Sequence, residues 1–227
     1  MSDEPKIIYE DNDFLAVYKP AGLIVHKTKN KEEYSLVDWL IKKYPEIKNV
    51  GDDPVLRPGI VHRLDKDTSG IMIVARNQKS FDYFKNLFQK HLIKKTYLAL
   101  VWGKPKENKG IINKPIGLKS GTTKRSIYSS KMQKEAITEY KVLKSFKDKQ
   151  GNLFSLLEVF PKTGRMHQIR VHLKSIGCPV CGDKLYGIKN DGFKRLMLHS
   201  KSLEFSINNS KNSKIKIEAE IPKEFDF

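Results

Sequence analysis

At 227 residues the chain can bury roughly 70% or more of its unfolded surface, so one large domain, or a domain of two halves around a cleft, needs no disulfide or metal staple. Its 43 Lys and Arg against 26 Asp and Glu leave a formal charge of +17 spread along the sequence, which points to a polyanionic partner held by salt-sensitive contacts. No apolar run approaches the roughly 20 residues of a membrane span, and no signal-peptide pattern opens the chain, so a cytoplasmic protein without membrane association is expected.

In chain order, KIIYE (6–10), DFLAVYK (13–19) and GLIVH (22–26) are short β-prone runs separated by Asp/Asn and Pro-Ala-Gly punctuation, and they predict three strands with tight turns. Ser35 then caps a helix over LVDWLIKKY that stops at Pro45. Residues 59–76 predict a hairpin, with strand GIVH, polar turn RLDKDTS and strand GIMIVAR. Asn77 opens a helix whose Phe81, Phe84, Leu87 and Phe88 recur at helical spacing and read as core. A strand over 95–102 precedes a basic stretch, 110–130, that reads as loop. Strands follow near 135–146 and 153–160, then a helix from Met166 to a glycine cap at Gly177, and last strands near 195–206 and 214–221. Strands in runs with few helices predict an α+β domain with a largely antiparallel sheet.

The densest polar cluster is HRLDKDTSG, residues 62–70, set between apolar runs. By itself such a turn is most often only solvated. Here Asp65 stands among Arg63, Lys66 and Asp67, with His62 and Thr68 as hydrogen-bonding neighbours and Gly70 allowing close backbone approach. An ionised carboxylate on a rigid turn is a possible nucleophile. Only seven of the cations are arginine, and five of these fall at 57–76 and 165–170, where a planar fork suits bidentate contact to carboxylate or phosphate.

RPGIVHRLDKDTSGIMIVAR (57–76) resembles the signature of RluA-type pseudouridine synthases. KKTYLALVWG (94–103) and TGRMHQIRVHL (163–173) resemble two further segments of that family in the same order, with weaker echoes in DFLAVYKPAGLIVH, GDKLYG and RLMLHS. The resemblance implies the pseudouridine synthase fold, α+β with a mixed, mostly antiparallel central sheet, flanking helices and loops around an active-site cleft, and an isomerase that turns specific uridines of ribosomal or transfer RNA into pseudouridine, without cofactor or metal. It implies Asp65 as the catalytic carboxylate, Arg165 as its ion-pair partner and Tyr97 against the flipped uracil. Arg63 would fill the space of the extruded nucleotide or grip a phosphate. His62, His167, Arg170, Lys124 and Arg125 complete the expected RNA-contacting set, with Lys119 in the same basic loop. The sequence starts directly in the catalytic pattern, without the small separate RNA-binding domain that many relatives carry before it. One catalytic domain over 1–227 is therefore expected, with a monomer as the default for an oligomeric state that the sequence does not encode legibly.

Rival readings are a non-catalytic basic RNA-binding protein, which leaves Asp65 and Arg165 unexplained, and a carboxylate-dependent nuclease or glycosidase using Asp67 as second acid. HRLD without a glycine-rich nucleotide loop excludes a protein kinase. Cys178 and Cys181 form a CPVC segment lacking the second ligand pair of a zinc site, and they read as reduced structural thiols. His167 and His172, five apart, are poorly spaced for a shared metal and read as RNA contact or packing, and His199 as structural.

Overall fold

The structure is a computed structural model and describes residues 4–27, 33–119, 121–122, 124–207 and 214–226. It resolves into two compact units, residues 1–94 with 200–221 and residues 95–199 with 222–227.

In the first unit β1 (Lys6–Glu10) and β2 (Phe14–Lys19) form an antiparallel pair. Asp11 makes the turn between them, its Oδ1 accepting the Asp13 and Phe14 N–H groups at 2.8 Å each, a role for which its short side chain is suited. Helix α1 (Leu36–Lys43) starts in a capping box. Ser35 Oγ accepts the Asp38 N–H and the Asp38 carboxylate accepts the Ser35 N–H, satisfying donors that the first turn leaves open. β3 (Ser69–Ala75), buried throughout, pairs antiparallel with β2. Helix α2 (Gln78–Gln89) is capped by Asn77, whose side chain accepts the Ser80 N–H at 2.9 Å.

The remaining strands of this unit complete its sheet. Numbered in chain order after the intervening elements given below, they are β10 (Leu198–Ser206) and β11 (Lys214–Glu218), and the order is β1–β2–β3–β10–β11. Phe14, Phe84 and Phe205 meet edge-on at 5.0 to 5.8 Å over Ile71, Ile73, Leu203 and Ile217, so Phe84 is core, as is the buried Phe81, in line with their spacing, whereas Phe88 is half-buried. Gly70 has φ +119, and a Cβ there would lie 2.2 Å from the Ser200 carbonyl oxygen. Backbone occupies the space of a side chain at this position.

The second unit holds β4 (Lys94–Trp102), β5 (Lys109–Asn113), β6 (Gly117–Leu118), β7 (Arg125–Ser126), β8 (Ile137–Lys147), β9 (Leu153–Pro161) and α3 (Gln168–Ser175). Its sheet runs β4–β9–β8–β5, antiparallel at each pairing. Leu98, Leu100, Leu157, Val159, Leu173, Val180 and Met197 form the core. α3 ends as its sequence predicts, with Gly177 at φ +79 and the Cys178 N–H returning to the Leu173 carbonyl at 3.0 Å.

The α+β expectation holds, with three sequence readings corrected. GLIVH is no strand: only Ile24 makes an isolated parallel bridge, to Ser35. GIVH pairs with β3 only at Ile60–Val74. Beyond it the His62 ring takes over, Nε2 accepting the Ile73 N–H at 2.9 Å, so a side chain supplies the acceptor that a strand backbone would have given. The stretch 110–130 contains most of β5 and the small antiparallel pair β6–β7. Ser120 and Thr123 of its basic segment lie outside the described residues.

Candidate active site

In the first unit Asp65 is half-buried at the start of a turn, its carbonyl accepting the Thr68 N–H at 3.2 Å. Buried Leu64 anchors the turn on one side and buried Thr68 and Ser69 on the other, which leaves Lys66 and Asp67 exposed between them and Arg63 exposed just before. The turn is also held from β2. Lys19, with 0% of its surface exposed, donates from Nζ to the carbonyls of Pro20 (2.8 Å), Leu23 (2.7 Å) and Lys66 (2.9 Å), and the Gly22 N–H donates to that Lys66 carbonyl at 2.9 Å. An ammonium with its charge buried among carbonyl dipoles makes short charge-assisted bonds. It ties the KPAGL segment to the Asp65 turn at one point.

His62 supports the same turn from below, stacked on Phe88 at 4.2 Å and accepting the Ile73 N–H. Arg57 and Arg63 lie close to His26. Burial first, then these two guanidinium charges, lower the His26 pKa against the opposing charge of Asp53. His26 Nδ1 and Thr68 Oγ1 are buried without a hydrogen-bond partner among the described residues. The Lys66 ammonium pairs with Glu33.

In the second unit Tyr97 is half-buried on β4, opposite Val159 of β9. Lys95, two residues away and hence on the same strand face, is pushed down to about 8 by burial, and its Nζ reaches toward the Thr163 carbonyl at 3.4 Å. The Tyr97 face of β4 thus adjoins the segment that carries Arg165. Arg165 lies between β9 and α3, half-buried, its Nε donating to the Glu135 carbonyl at 2.9 Å. Its backbone N–H is taken by Gln168 Oε1 at 3.0 Å, and its carbonyl accepts the Gln168 N–H at 3.1 Å. His167 follows in the left-handed conformation, φ 58, with Nδ1 2.8 Å from Tyr186 Oη. That phenol also accepts the Arg125 N–H at 2.8 Å.

Asp65 therefore belongs to the first unit and Tyr97 and Arg165 to the second. Of the residues expected to meet RNA, Arg63 and Lys124 are exposed, while Arg125, His62 and His167 are half-buried. Arg170 departs from the expectation. It is 5% exposed and forks onto Asp183, itself 2% exposed, through Nε–Oδ2 and Nη2–Oδ1 bonds of 2.7 Å each, with Tyr186 against its guanidinium at 5.1 Å. Burial alone would raise the Asp183 pKa, but the Arg170 hydrogen bonds and charge outweigh it and hold it below the usual range. The bidentate contact suggested by a rare arginine is present at this position, made to a carboxylate inside the fold.

His172 is buried, between Thr138 Oγ1 and the Lys114 carbonyl at 2.9 Å each, and is packing. Cys178 and Cys181 are free, buried thiols whose pKa values burial raises. Among the described residues no cluster of His, Cys, Asp or Glu is arranged to hold a metal, and no helix is long and apolar enough to cross a membrane. Lys19 and Gln168, whose hydrogen bonds reach the Asp65 turn and the Arg165 main chain, escape sequence reading. Lys19 reads only as the last residue of the strand run 13–19, and a glutamine at a helix start carries no charge signal.

A family model for RNA pseudouridylate synthases matches residues 13–175. The chain is 37% identical over 221 residues to ribosomal large subunit pseudouridine synthase D of Borreliella burgdorferi, covering 96% of this chain and 66% of that protein. It is 39% identical over 226 residues to ribosomal large subunit pseudouridine synthase C of Rickettsia bellii, covering 96% and 69%. Human RNA pseudouridylate synthase domain containing 1 has a similar structure, with TM-score 0.77 at 27% identity over 96% of this chain and 84% of that one. The chain thus spans just under two thirds of the length of the Borreliella relative, and 59% of an uncharacterized RNA pseudouridine synthase of Aquifex aeolicus to which it is 42% identical.

Proposed function

Because the chain belongs to the RNA pseudouridylate synthase family, we propose that it isomerises uridine in RNA to pseudouridine, with Asp65 as the carboxylate that acts on the nucleoside. The observation that carries this reading is the Asp65 turn itself. A half-buried carboxylate stands on a turn that a wholly buried lysine pins to β2, the pre-set geometry that catalysis on a sugar requires.

The reaction breaks the C1′–N1 bond, turns the uracil and joins C1′ to C5. The C5 proton is lost and N1 gains one, so atoms and electrons balance without a redox partner. The Asp65 carboxylate serves either by attack at C1′ or by removal of a 2′ proton. Arg165 pairs with Asp65 in this reading, and the Glu135 and Gln168 contacts that hold its root support that role. Tyr97 lies against the uracil and takes up the C5 proton. Arg63, exposed beside the turn, fills the place of the extruded nucleotide or holds a phosphate. Lys124 and Arg125 belong to a stretch, 108–134, with seven Lys or Arg and no carboxylate, and Tyr128 within it is 89% exposed. Base stacking on an exposed aromatic amid cations suits RNA flanking the target. The names of the relatives favour large-subunit ribosomal RNA over transfer RNA, and a cytoplasmic site of action goes with that substrate.

Tritium release from RNA labelled at uridine C5 tests the reading. The protein is expected to release tritium from ribosomal RNA and Asp65→Asn to release none while still binding. Retention of RNA without any release from any cellular RNA would establish the non-catalytic binder instead.

A further inference from the structure

We propose that Gln168 is a positioning residue for Arg165, its amide fixed in a single orientation by a buried hydrogen-bond chain that runs through Thr138 to His172. This rests on the reading of Arg165 as an active-site residue. Gln168 is 4% exposed and uses its whole hydrogen-bonding capacity. Oε1 accepts the Thr163 hydroxyl at 2.7 Å and the Arg165 N–H at 3.0 Å. Nε2 donates to the Ile137 carbonyl and to Thr138 Oγ1, both at 2.9 Å. The Gln168 backbone N–H takes the Arg165 carbonyl as well. One residue thus holds both polar groups of the Arg165 main chain.

The direction of every bond in the chain follows from groups that can act in only one sense. The Lys114 carbonyl only accepts, so His172 Nε2, 2.9 Å away, carries the proton. In a neutral ring Nδ1 is then an acceptor, and it receives the Thr138 hydroxyl at 2.9 Å. His172 is wholly buried, and burial lowers its pKa, which agrees with the neutral form. Thr138, having given its proton to His172, can only accept from Gln168, so Nε2 must face it. At the other end the Arg165 N–H only donates, so Oε1 must face Arg165. Thr163 joins the chain consistently, its Oγ1 accepting the Ile137 N–H at 3.0 Å while its proton goes to Gln168.

The same residues secure the arginine side chain. Its Nε is bound to the carbonyl of Glu135, two residues before the Ile137 that Gln168 and Thr163 hold. Main chain and guanidinium root are therefore anchored to one short segment. A satisfied buried network of this kind is rigid, and a half-satisfied one is not. A displacement of about 1 Å at a reacting group can cost about a hundredfold in rate.

The test uses the full chain and tritium release, with Gln168→Met, Gln168→Glu, Thr138→Val and Thr138→Ser. Gln168→Met keeps the volume and loses all four bonds, and its kcat should fall about 10- to 100-fold with KM for RNA changed less than about threefold. Gln168→Glu, which keeps the acceptors but loses the Nε2 donor, should fall in the same direction. Thr138→Val should follow it, and Thr138→Ser, which restores the hydroxyl, should recover most of the rate. In an Arg165→Ala background Gln168→Met should cost nothing further, because the group it positions is gone. Hydrogen exchange at the Arg165 amide reads the clamp without activity and should quicken in folded Gln168→Met. Full kcat in that variant, a loss confined to KM, or losses that multiply with Arg165→Ala would each overturn the inference alone. A wild-type protein that releases no tritium from any RNA would overturn the functional reading, and this inference with it.

Discussion

Replacing Asp183 by Asn keeps the shape of the side chain but removes its charge and turns one acceptor into a donor, and the consequence should be large. The carboxylate accepts two 2.7 Å bonds from Arg170 and two further bonds, from the Leu185 and Tyr186 N–H groups at 2.9 and 3.0 Å. Both side chains are almost wholly inaccessible, at 6% and 0%. With its amide oxygen at Oδ1, Asn can still receive the two backbone donors and Arg170 Nη2, but its NH2 group replaces the acceptor of the Nε bond, so the change removes both the facing charge and one buried acceptor, a cost of about 3–5 kcal/mol. The exposed pair Lys85–Asp52, 2.8 Å apart with side chains 36% and 47% accessible, should lose only about 0.2–1 kcal/mol in Asp52→Asn.

Urea denaturation followed by Trp102, which lies in the second unit with this pair, gives the Asp183 value, and the same titration followed by Trp39 in the first unit gives that for Asp52. Arg170→Met with Asp183→Leu should regain much of the loss, since an apolar pair of similar volume carries no desolvation cost. A value for Asp183→Asn no larger than that for Asp52→Asn would refute the argument. The pH dependence has a definite sign. Asp183 titrates lower in the folded protein than in the unfolded chain, so its contribution is present above the unfolded pKa near 4 and disappears as pH falls through the folded value. Asp183→Asn should lose that part of the acid sensitivity.

Gly70→Ala should destabilise by about 3 kcal/mol or more, because a Cβ there meets the Ser200 backbone, whereas Gly22→Ala, at φ +86 with nothing within 4 Å, should cost about 1 kcal/mol of backbone strain alone; equal melting points would refute the distinction. Lys19→Met should leave three carbonyls without their shared donor, lowering stability by about 3 kcal/mol, and should slow tritium release by loosening the Asp65 turn; an unaltered rate in the folded variant would separate Lys19 from the site. Lys95, lowered to about 8 in the folded protein against about 10.4 unfolded, should make wild-type stability rise relative to Lys95→Met between those two pH values and run parallel below them, which unfolding curves across that range will check.

Much was legible without coordinates. The caps at Ser35 and Asn77, the glycine end of α3 and the phenylalanine stripe of α2 depend on neighbours a few residues away, so local spacing suffices to find them. The ordered polar segment around Asp65 was readable for the same reason, because its residue types and their flanking apolar runs are contiguous. GLIVH and GIVH failed as strands although their composition is β-prone, because a strand exists only when a partner edge is offered, and here Ser35 and Val74 offer one residue each. β6 and β7, two residues each, are too short for any period to register.

Arg170 finds Asp183 across 13 residues of sequence, Lys19 finds the Lys66 carbonyl across 47, and Gln168 finds Thr138 across 30. A polar residue in the sequence looks solvated whether or not such a partner exists. Composition and motif order by themselves raised the expectation of a polyanionic partner and singled out Asp65 among the carboxylates. Only the tertiary structure decided which cations are spent inside the fold, since burial and long-range pairing are properties of the packed chain.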